Sequence, residues 1–254
     1  MRKAVGIIPA RWASTRFPGK PLHVIAGKPL LRHVWERCRL ARSLHAVIVA
    51  TDDSRVADAA KSWGAEVALT SPKHQSGTDR VAEVARKSED LDIIVNIQGD
   101  EPEIDPELID QLVEKLRSDP KIAIVTAGHP FEDDSGAASP HQVKVVVDRH
   151  GVALDFFREP PSSRKGADRF TKDQTILRHQ GIYGFRRYTL LQFVEWKPTQ
   201  SERAQSLEQL RALENGVKVH VLVTKHGSPG VDTPADAKAL ERKLARAKGR
   251  RVSR

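Results

Sequence analysis

The 254-residue chain is 39% hydrophobic and 30% charged, a composition that suits one soluble α/β domain with a sizeable core and excludes a membrane span, because no apolar run approaches the ~20 residues a bilayer needs. Its one cysteine, Cys38 between Arg37 and Arg39 in a helical pattern, excludes an intrachain disulfide and a thiolate metal cluster and reads as a structural thiol; with no apolar h-region or cleavage site at the start, the chain is expected in the cytoplasm. A net charge of +9 raises nucleic acid as a partner, but much of it sits in residues 242–254, read as a solvated or frayed end, and 5% aromatics without basic-aromatic alternation offer no stacking platform.

In chain order, apolar β-branched runs at 4–8, 46–50, 67–69 and 93–97 show little polar alternation, which predicts strands covered on both faces. Helical periodicity over 30–38 and 54–61 separates them, with Asp52, Asp53 and Ser54 offering caps to the second. The sum is α/β: a doubly wound, mainly parallel sheet whose ligands bind beyond the carboxyl ends of the strands. A helix at 106–116 precedes longer β runs at 123–126, 143–147 and 152–157, with a turn at 148–151, and these predict a β-rich insertion packed on the sheet. Residues 159–166 have the composition of a mobile loop. A strand at 177–185, a helix at 206–215 closed by Gly216 and a strand at 218–224 lead to the loop holding Asp232. No linker or repeat divides residues 1–254, so a single domain is expected.

Chemistry concentrates in four stretches. The first strand breaks at Pro9 into a loop where Ala10, Ala13 and Gly19 let backbone approach a ligand and Arg11, Arg16 and Lys20 bring positive charge, an anion cradle that is neither a Walker loop nor a dinucleotide fingerprint. Val95-Asn96-Ile97-Gln98-Gly99-Asp100-Glu101-Pro102 puts Asp100 just past a buried strand, where it can serve a hard cation such as Mg2+ alongside substrate phosphates, or simply make a turn or cap. Gly230-Val231-Asp232-Thr233-Pro234 supplies a second carboxylate, free to cap the next helix or to face the metal. His74-Gln75-Ser76-Gly77-Thr78-Asp79-Arg80 opens a helix with small residues and free N–H groups, a place where a base can be read.

The opening stretch, I-I-P-A-R-x-A-S-T-R-x-P-G-K-P-L, resembles the signature loop of sugar-nucleotide-forming nucleotidyltransferases. In this wording it is similar to the 3-deoxy-manno-octulosonate (Kdo) cytidylyltransferases. The V-N-x-Q-G-D-E-P, G-V-D-T-P, x-x-S-G-T-[DE]-R, R-H-x-G-I-Y-G and L-E-Q-L-R segments carry the resemblance from Ala4 to about Ala237. It implies a nucleotide-diphospho-sugar transferase-like fold and transfer of CMP from CTP to Kdo, giving CMP-Kdo and pyrophosphate for lipopolysaccharide synthesis, by a homodimer in which residues 120–200 bind sugar and pair subunits. By the same resemblance Ala10, Arg11, Ser14, Arg16 and Lys20 hold phosphates, Lys20 being catalytic as well; Ser76, Gly77 and Arg80 recognise cytosine; and Asp100 and Asp232 hold catalytic Mg2+. Gln98, Arg158, His179, Tyr183, Glu208 and Gln209 are implied for the sugar acid. Taken alone, His179 and Tyr183 also fit satisfied core positions, and Glu208 and Gln209 a solvated helix surface.

The chain departs from the family at Asp155-Phe156-Phe157-Arg158-Glu159-Pro160-Pro161, where the usual run has a serine before the arginine and a small residue and Ile-Pro after it, and at Pro198-Thr199-Gln200-Ser201. Arg164 is the alternative to Arg158 as carboxylate ligand. The rival readings are a cytidylyltransferase for 8-amino-Kdo or sialic acid, a GT-A glycosyltransferase, whose D-x-D is absent near the fourth strand, and a basic nucleic-acid-binding protein.

Overall fold

A computed structural model of the chain describes residues 3–13, 17–160 and 173–252, and at its centre lies β1 (Lys3–Ala10), buried on both faces from Ala4 to Ile8. Val5 and Ile7 point to one side while Ala4 and Ile8 point to the other, so β1 feeds two separate cores. That is why its sequence shows no polar alternation.

The cationic loop follows, ending in a 3-10 turn at Lys20–Leu22. A small hairpin of β2 (Val24–Ile25) and β3 (Lys28–Pro29) comes next, then α1 (Leu30–Cys38), β4 (Ala46–Thr51), α2 (Ser54–Ser62), β5 (Glu66–Leu69), α3 (Gly77–Arg86), β6 (Leu91–Asn96) and α4 (Pro106–Ser118). β1 pairs in parallel with β4 and β6, and β4 with β5. After β7 (Ile124–His129) and the short α5 (Asp134–Ala138), β8 (Lys144–Val147) and β9 (Ala153–Phe157) form an antiparallel pair. The long β10 (Thr175–Arg186) runs antiparallel to β6, β7 and β8. The chain then forms α6 (Arg187–Glu195), α7 (Gln200–Gln205), α8 (Leu210–Glu214), β11 (Val219–Val223), parallel to β7, and α9 (Pro234–Val252). The sheet order is β11-β7-β10-β6-β1-β4-β5, with β8 and β9 attached along β10. The expected doubly wound sheet is present, parallel through β5, β4, β1 and β6 and mixed beyond, where the β-rich insertion joins it through the antiparallel β10.

α1, α2 and α4 cover one face, where Leu108, Ile109, Leu112, Val113 and Leu116 of α4 are all buried, each contributing about 1.5–3 kcal/mol by area. α3, α6 and α8 cover the other, where Phe156, Phe185 and Phe193 meet. A small third cluster, with Phe17, Ile25, Val231, Ala237 and Leu240, seats α9. Cys38 is fully buried, and burial pushes its thiol far above the ordinary range, which makes it the inert structural residue expected.

Two expectations change. The helix expected over 206–215 begins only at Leu210, because Ser206, at φ 53°, ends α7 in the left-handed region and the chain must turn before a new helix starts. The basic tail is not frayed at its start: α9 continues to Val252, Leu244 packs on the third cluster, and Lys243 Nζ pairs with Glu103 at 2.7 Å. Arg242, Lys243 and Arg246 are exposed, while Leu244 is packed. No helix among the described residues is long and apolar enough to cross a membrane.

Candidate active site

The first cavity, about 350 Å³, lies beyond the carboxyl ends of β1 and β6 and is lined by Pro9, Ala10, Arg11, Ala13, Lys20, Pro21, His74, Ser76, Gly77, Arg80, Gln98, Gly99, Asp100 and Asp232. Ser14 and Arg16 lie outside the described residues, as does Arg164. Every other residue expected at the nucleotide or metal is on this wall.

The loop is closed by the Gly19 N–H donating to the Trp12 carbonyl at 3.2 Å. Gly19 takes φ 70°, and a Cβ there would lie 3.1 Å from the Trp12 ring, so both conformation and space call for glycine. Trp12 in turn carries the Arg55 guanidinium 3.7 Å over its ring, and Arg55 is paired with Asp53, the N-cap of α2. The loop is thus tethered to α2 by a cation–π contact. Lys20, the first residue of the 3-10 turn, points back into the cavity.

There its Nζ lies 2.6 Å from Asp100 Oδ2 and 3.2 Å from Asp232 Oδ1. The two carboxylates therefore converge on one cationic centre. Whether Asp232 caps the last helix is decided by its neighbours: Asp236 accepts from the N–H groups of Asp232 and Thr233, and the Thr233 hydroxyl accepts from the Asp236 N–H. With α9 capped by this pair, the Asp232 side chain is left to the site. Val231 N–H donates to the Asp100 carbonyl at 2.8 Å and pins the two acidic segments together. Two carboxylates with no third protein ligand suit a hard cation that takes its remaining ligands from phosphates and water; among the described residues no group of three or more acidic, histidine or cysteine side chains is placed to hold a metal.

At the start of α3, Ser76 is the N-cap and forms a capping box with Asp79. Gly77 is exposed over Pro9, leaving the first turn of α3 open to the cavity. Arg80, only 3% exposed, reaches Asp52 at 3.1 Å and the Thr70 hydroxyl. It braces the strand ends as well as lining the cavity. The turn ahead of α3 is held by Glu83, which accepts from Lys87, the Ser71 N–H and His74; those bonds, led by Lys87, keep its carboxyl down near 2.

The residues expected at the sugar acid divide among several surroundings. Gln98 lines the first cavity and donates to the Gly181 carbonyl at 2.9 Å. His179 meets the Thr126 hydroxyl at 3.0 Å and packs edge-on to Phe156; burial lowers its pKa to about 3, so it is a neutral imidazole. Tyr183 lies 5.4 Å from the His179 ring, and burial, then Glu208, raises its phenol well above the ordinary value. With Glu208 and Gln209 it lines a gap of about 30 Å³. Glu208 accepts from the Thr78 hydroxyl at 2.6 Å, and burial raises its pKa. Arg158 donates to the Gln205 carbonyl, while its own carbonyl accepts from the fully buried Lys144 at 2.8 Å.

Sequence reasoning missed Glu101, Thr78 and Lys144. Glu101 follows Asp100 and is 8% exposed; burial, reinforced by the charge of Asp100, raises its pKa to about 8. Its signal was the second carboxylate of the Gly-Asp-Glu-Pro run, which was read for its aspartate alone.

The family model for Cytidylyltransferase matches residues 5–219. A 3-deoxy-manno-octulosonate cytidylyltransferase of Geobacter metallireducens is 46% identical over 251 residues, covering 96% of this chain and 98% of its own. One of Solibacter usitatus is 49% identical over 242 residues, covering 95% and 94%. Among solved structures, a CMP:2-keto-3-deoxy-manno-octonic acid synthetase complexed with CTP is similar with a TM-score of 0.89 at 40% identity, over 96% of this chain and 99% of that one.

Proposed function

The chain belongs to the 3-deoxy-manno-octulosonate cytidylyltransferase family, and from that premise we infer that it transfers CMP from CTP to Kdo, releasing pyrophosphate. The observation that carries the reading into this molecule is the meeting of Lys20, Asp100 and Asp232 on the wall of one cavity with Arg11, Ser76 and Gly77.

The reaction is an in-line displacement at the α-phosphorus by a sugar hydroxyl, so the protein's work is to bring two anions together and neutralise the charge that develops. Asp100 and Asp232 would hold Mg2+, which when bound supplies positive charge to the α-phosphate and acidity to the attacking hydroxyl. Arg11 and Lys20 place fixed charge at the leaving pyrophosphate, joined by Ser14 and Arg16. Gly77 keeps its own N–H and that of Thr78 open to the cytosine, the Asp79 N–H being taken by the capping box, while Arg80 keeps that helix end against the strands. On the sugar side, Gln98 lines the same cavity as Asp100 and Asp232, and His179, Tyr183, Glu208 and Gln209 offer neutral and acidic groups to sort hydroxyls. Arg158 is proposed for the carboxylate of the sugar acid, and engaging it requires the guanidinium to use the N–H groups not given to Gln205.

The same reading makes the protein a cytoplasmic enzyme that activates Kdo for lipopolysaccharide synthesis, working as a homodimer and as one domain. Pyrophosphate release measured with CTP, Mg2+ and a panel of sugar acids tests the assignment. Turnover with Kdo well above that with 8-amino-Kdo or sialic acid is expected; preference for either of those would overturn the substrate.

A further inference from the structure

A second cavity, of about 330 Å³, shares Asp100 and Asp232 with the nucleotide cavity but takes nothing from the cationic loop. Three buried oxygens on its walls have no hydrogen-bond partner: Glu101 Oε2, Gln180 Oε1 and Ser228 Oγ. Glu101 and Gln180 are 8% and 5% exposed. A buried acceptor without a partner forfeits its hydration for nothing, and three around one space point to a guest that brings hydrogens.

The positions of these groups say which guest. Glu101 follows Asp100 in the chain, and Ser228 lies on the loop that ends at Asp232. That loop is fixed at both ends. Val231 N–H is bonded to the Asp100 carbonyl, and Gly227 lies so close to His129 that a Cβ there would come within 2.3 Å of Nε2. Gln180 spends its amide N–H on the Glu101 carboxyl and keeps its oxygen for the cavity. All three oxygens can therefore accept, the Ser228 hydroxyl having a proton to donate besides, and the Glu101 carboxyl retains acceptor capacity whether or not it holds a proton. A sugar hydroxyl both donates and accepts. A water bound to a cation has its lone pair committed to the metal and can only donate, and Mg2+ characteristically keeps several such waters.

We propose that Glu101, Gln180 and Ser228 form an outer ring of acceptors that orients the waters of a divalent cation held by Asp100 and Asp232. They are positioning residues, acting through water on the metal. The proposal rests on the reading of Asp100 and Asp232 as metal ligands.

Mn2+ binding to the full chain tests it, with free Mn2+ read by electron paramagnetic resonance and the bound waters by solvent proton relaxation. Gln180→Met combined with Ser228→Ala should weaken Mn2+ about tenfold, within the range seen when groups behind metal ligands are removed, and should change the relaxation enhancement per bound ion. Ser228→Ala alone, on a surface loop, should do the same to a smaller degree, about threefold. Glu101→Gln, which keeps an oxygen, should stay within about twofold of wild type. CTP affinity in EDTA should be unchanged in all of them. Folded variants that match wild type in both Mn2+ affinity and relaxation, while Asp100→Asn loses Mn2+, would overturn the acceptor ring and leave the metal ligands standing. Equal binding by Asp100→Asn and wild type would overturn both.

Discussion

Lys20 reaches across 80 positions of sequence to set its ammonium 2.6 Å from Asp100 Oδ2. Both groups are largely withdrawn from water, with 16% and 28% of their side chains exposed, so the contact is stronger than a surface pair. A cation entering between Asp100 and Asp232 would compete with Lys20 for the same oxygens, and the displaced ammonium would stay on the wall of the proposed nucleotide cavity. On that reading, metal and phosphate binding would draw on one lysine.

Asp100→Asn and Asp232→Asn should each reduce kcat with CTP and Kdo by more than tenfold, about 1.4 kcal/mol of barrier, because each removes a charged ligand from a hard cation. Steady-state assays at saturating substrates, with circular dichroism to verify folding, give the answer. Losses under tenfold for both would contradict the metal assignment.

Lys20→Met should weaken CTP far more than the sugar acid, since the lost charge belongs with the leaving phosphates. Calorimetric titration of each substrate separates the two. If both weaken equally, Lys20 acts by holding the two carboxylates together and not by meeting phosphate.

Glu101 predicts how stability varies with pH in metal-free protein. Its pKa is raised from an ordinary 4.5 to about 8 by burial and by Asp100, so the folded state holds the proton more tightly than the unfolded chain. This group therefore costs nothing below pH 4.5, and stability is lost as pH climbs from there to about 8; one pKa unit of difference corresponds to about 1.4 kcal/mol. Glu101→Gln removes that loss. The melting temperature of the variant should gain on wild type between pH 5 and pH 9 in EDTA, and a gap that is constant over that range would show that Glu101 is not the buried acid it looks to be.

Arg211 and Glu202 make a buried bidentate ion pair. Nη2 meets Oε1 at 2.5 Å and Nε meets Oε2 at 2.9 Å, with both groups buried and the guanidinium 4.9 Å over Phe193. Glu202→Ala should destabilise the fold by about 3–5 kcal/mol, because it strands a buried guanidinium. Replacing both partners with apolar residues should recover much of that. Urea unfolding of the two single variants and the double variant measures the coupling, and additive losses would show that the pair is incidental.

Much of this was legible in the sequence because β1, β4 and β6 are covered on both faces, so their apolar runs stood out against the amphipathic helices. The convergence of Lys20 with Asp100 followed from the rule that such sheets bind ligands at their carboxyl ends. Thr233 and Asp236 resolve what Gly-Val-Asp-Thr-Pro left open, since they cap α9 while the Asp232 carboxylate meets Lys20. The break at Ser206 was hidden, because a serine in the left-handed region has no apolar signature. The hairpin at Val24–Ile25 and Lys28–Pro29 is too short to show a period. Glu101 and Gln180 were invisible for another reason: burial of a polar group is a property of what packs around it.

Asp232 lies 212 positions from Lys20, at the threshold of α9, the last helix described. Its partners in the site, by contrast, come from strand ends formed much earlier in the chain. During synthesis the sheet from β1 to β6 can assemble while α9 is still in the ribosome, and a nascent chain at that stage has its cationic loop but only one of the two carboxylates. With Asp100 and Asp232 as metal ligands, its affinity for a divalent ion would stay low until α9 has seated Ala237 and Leu240 on the third cluster. On that assignment the protein would become a consumer of CTP only as α9 docks.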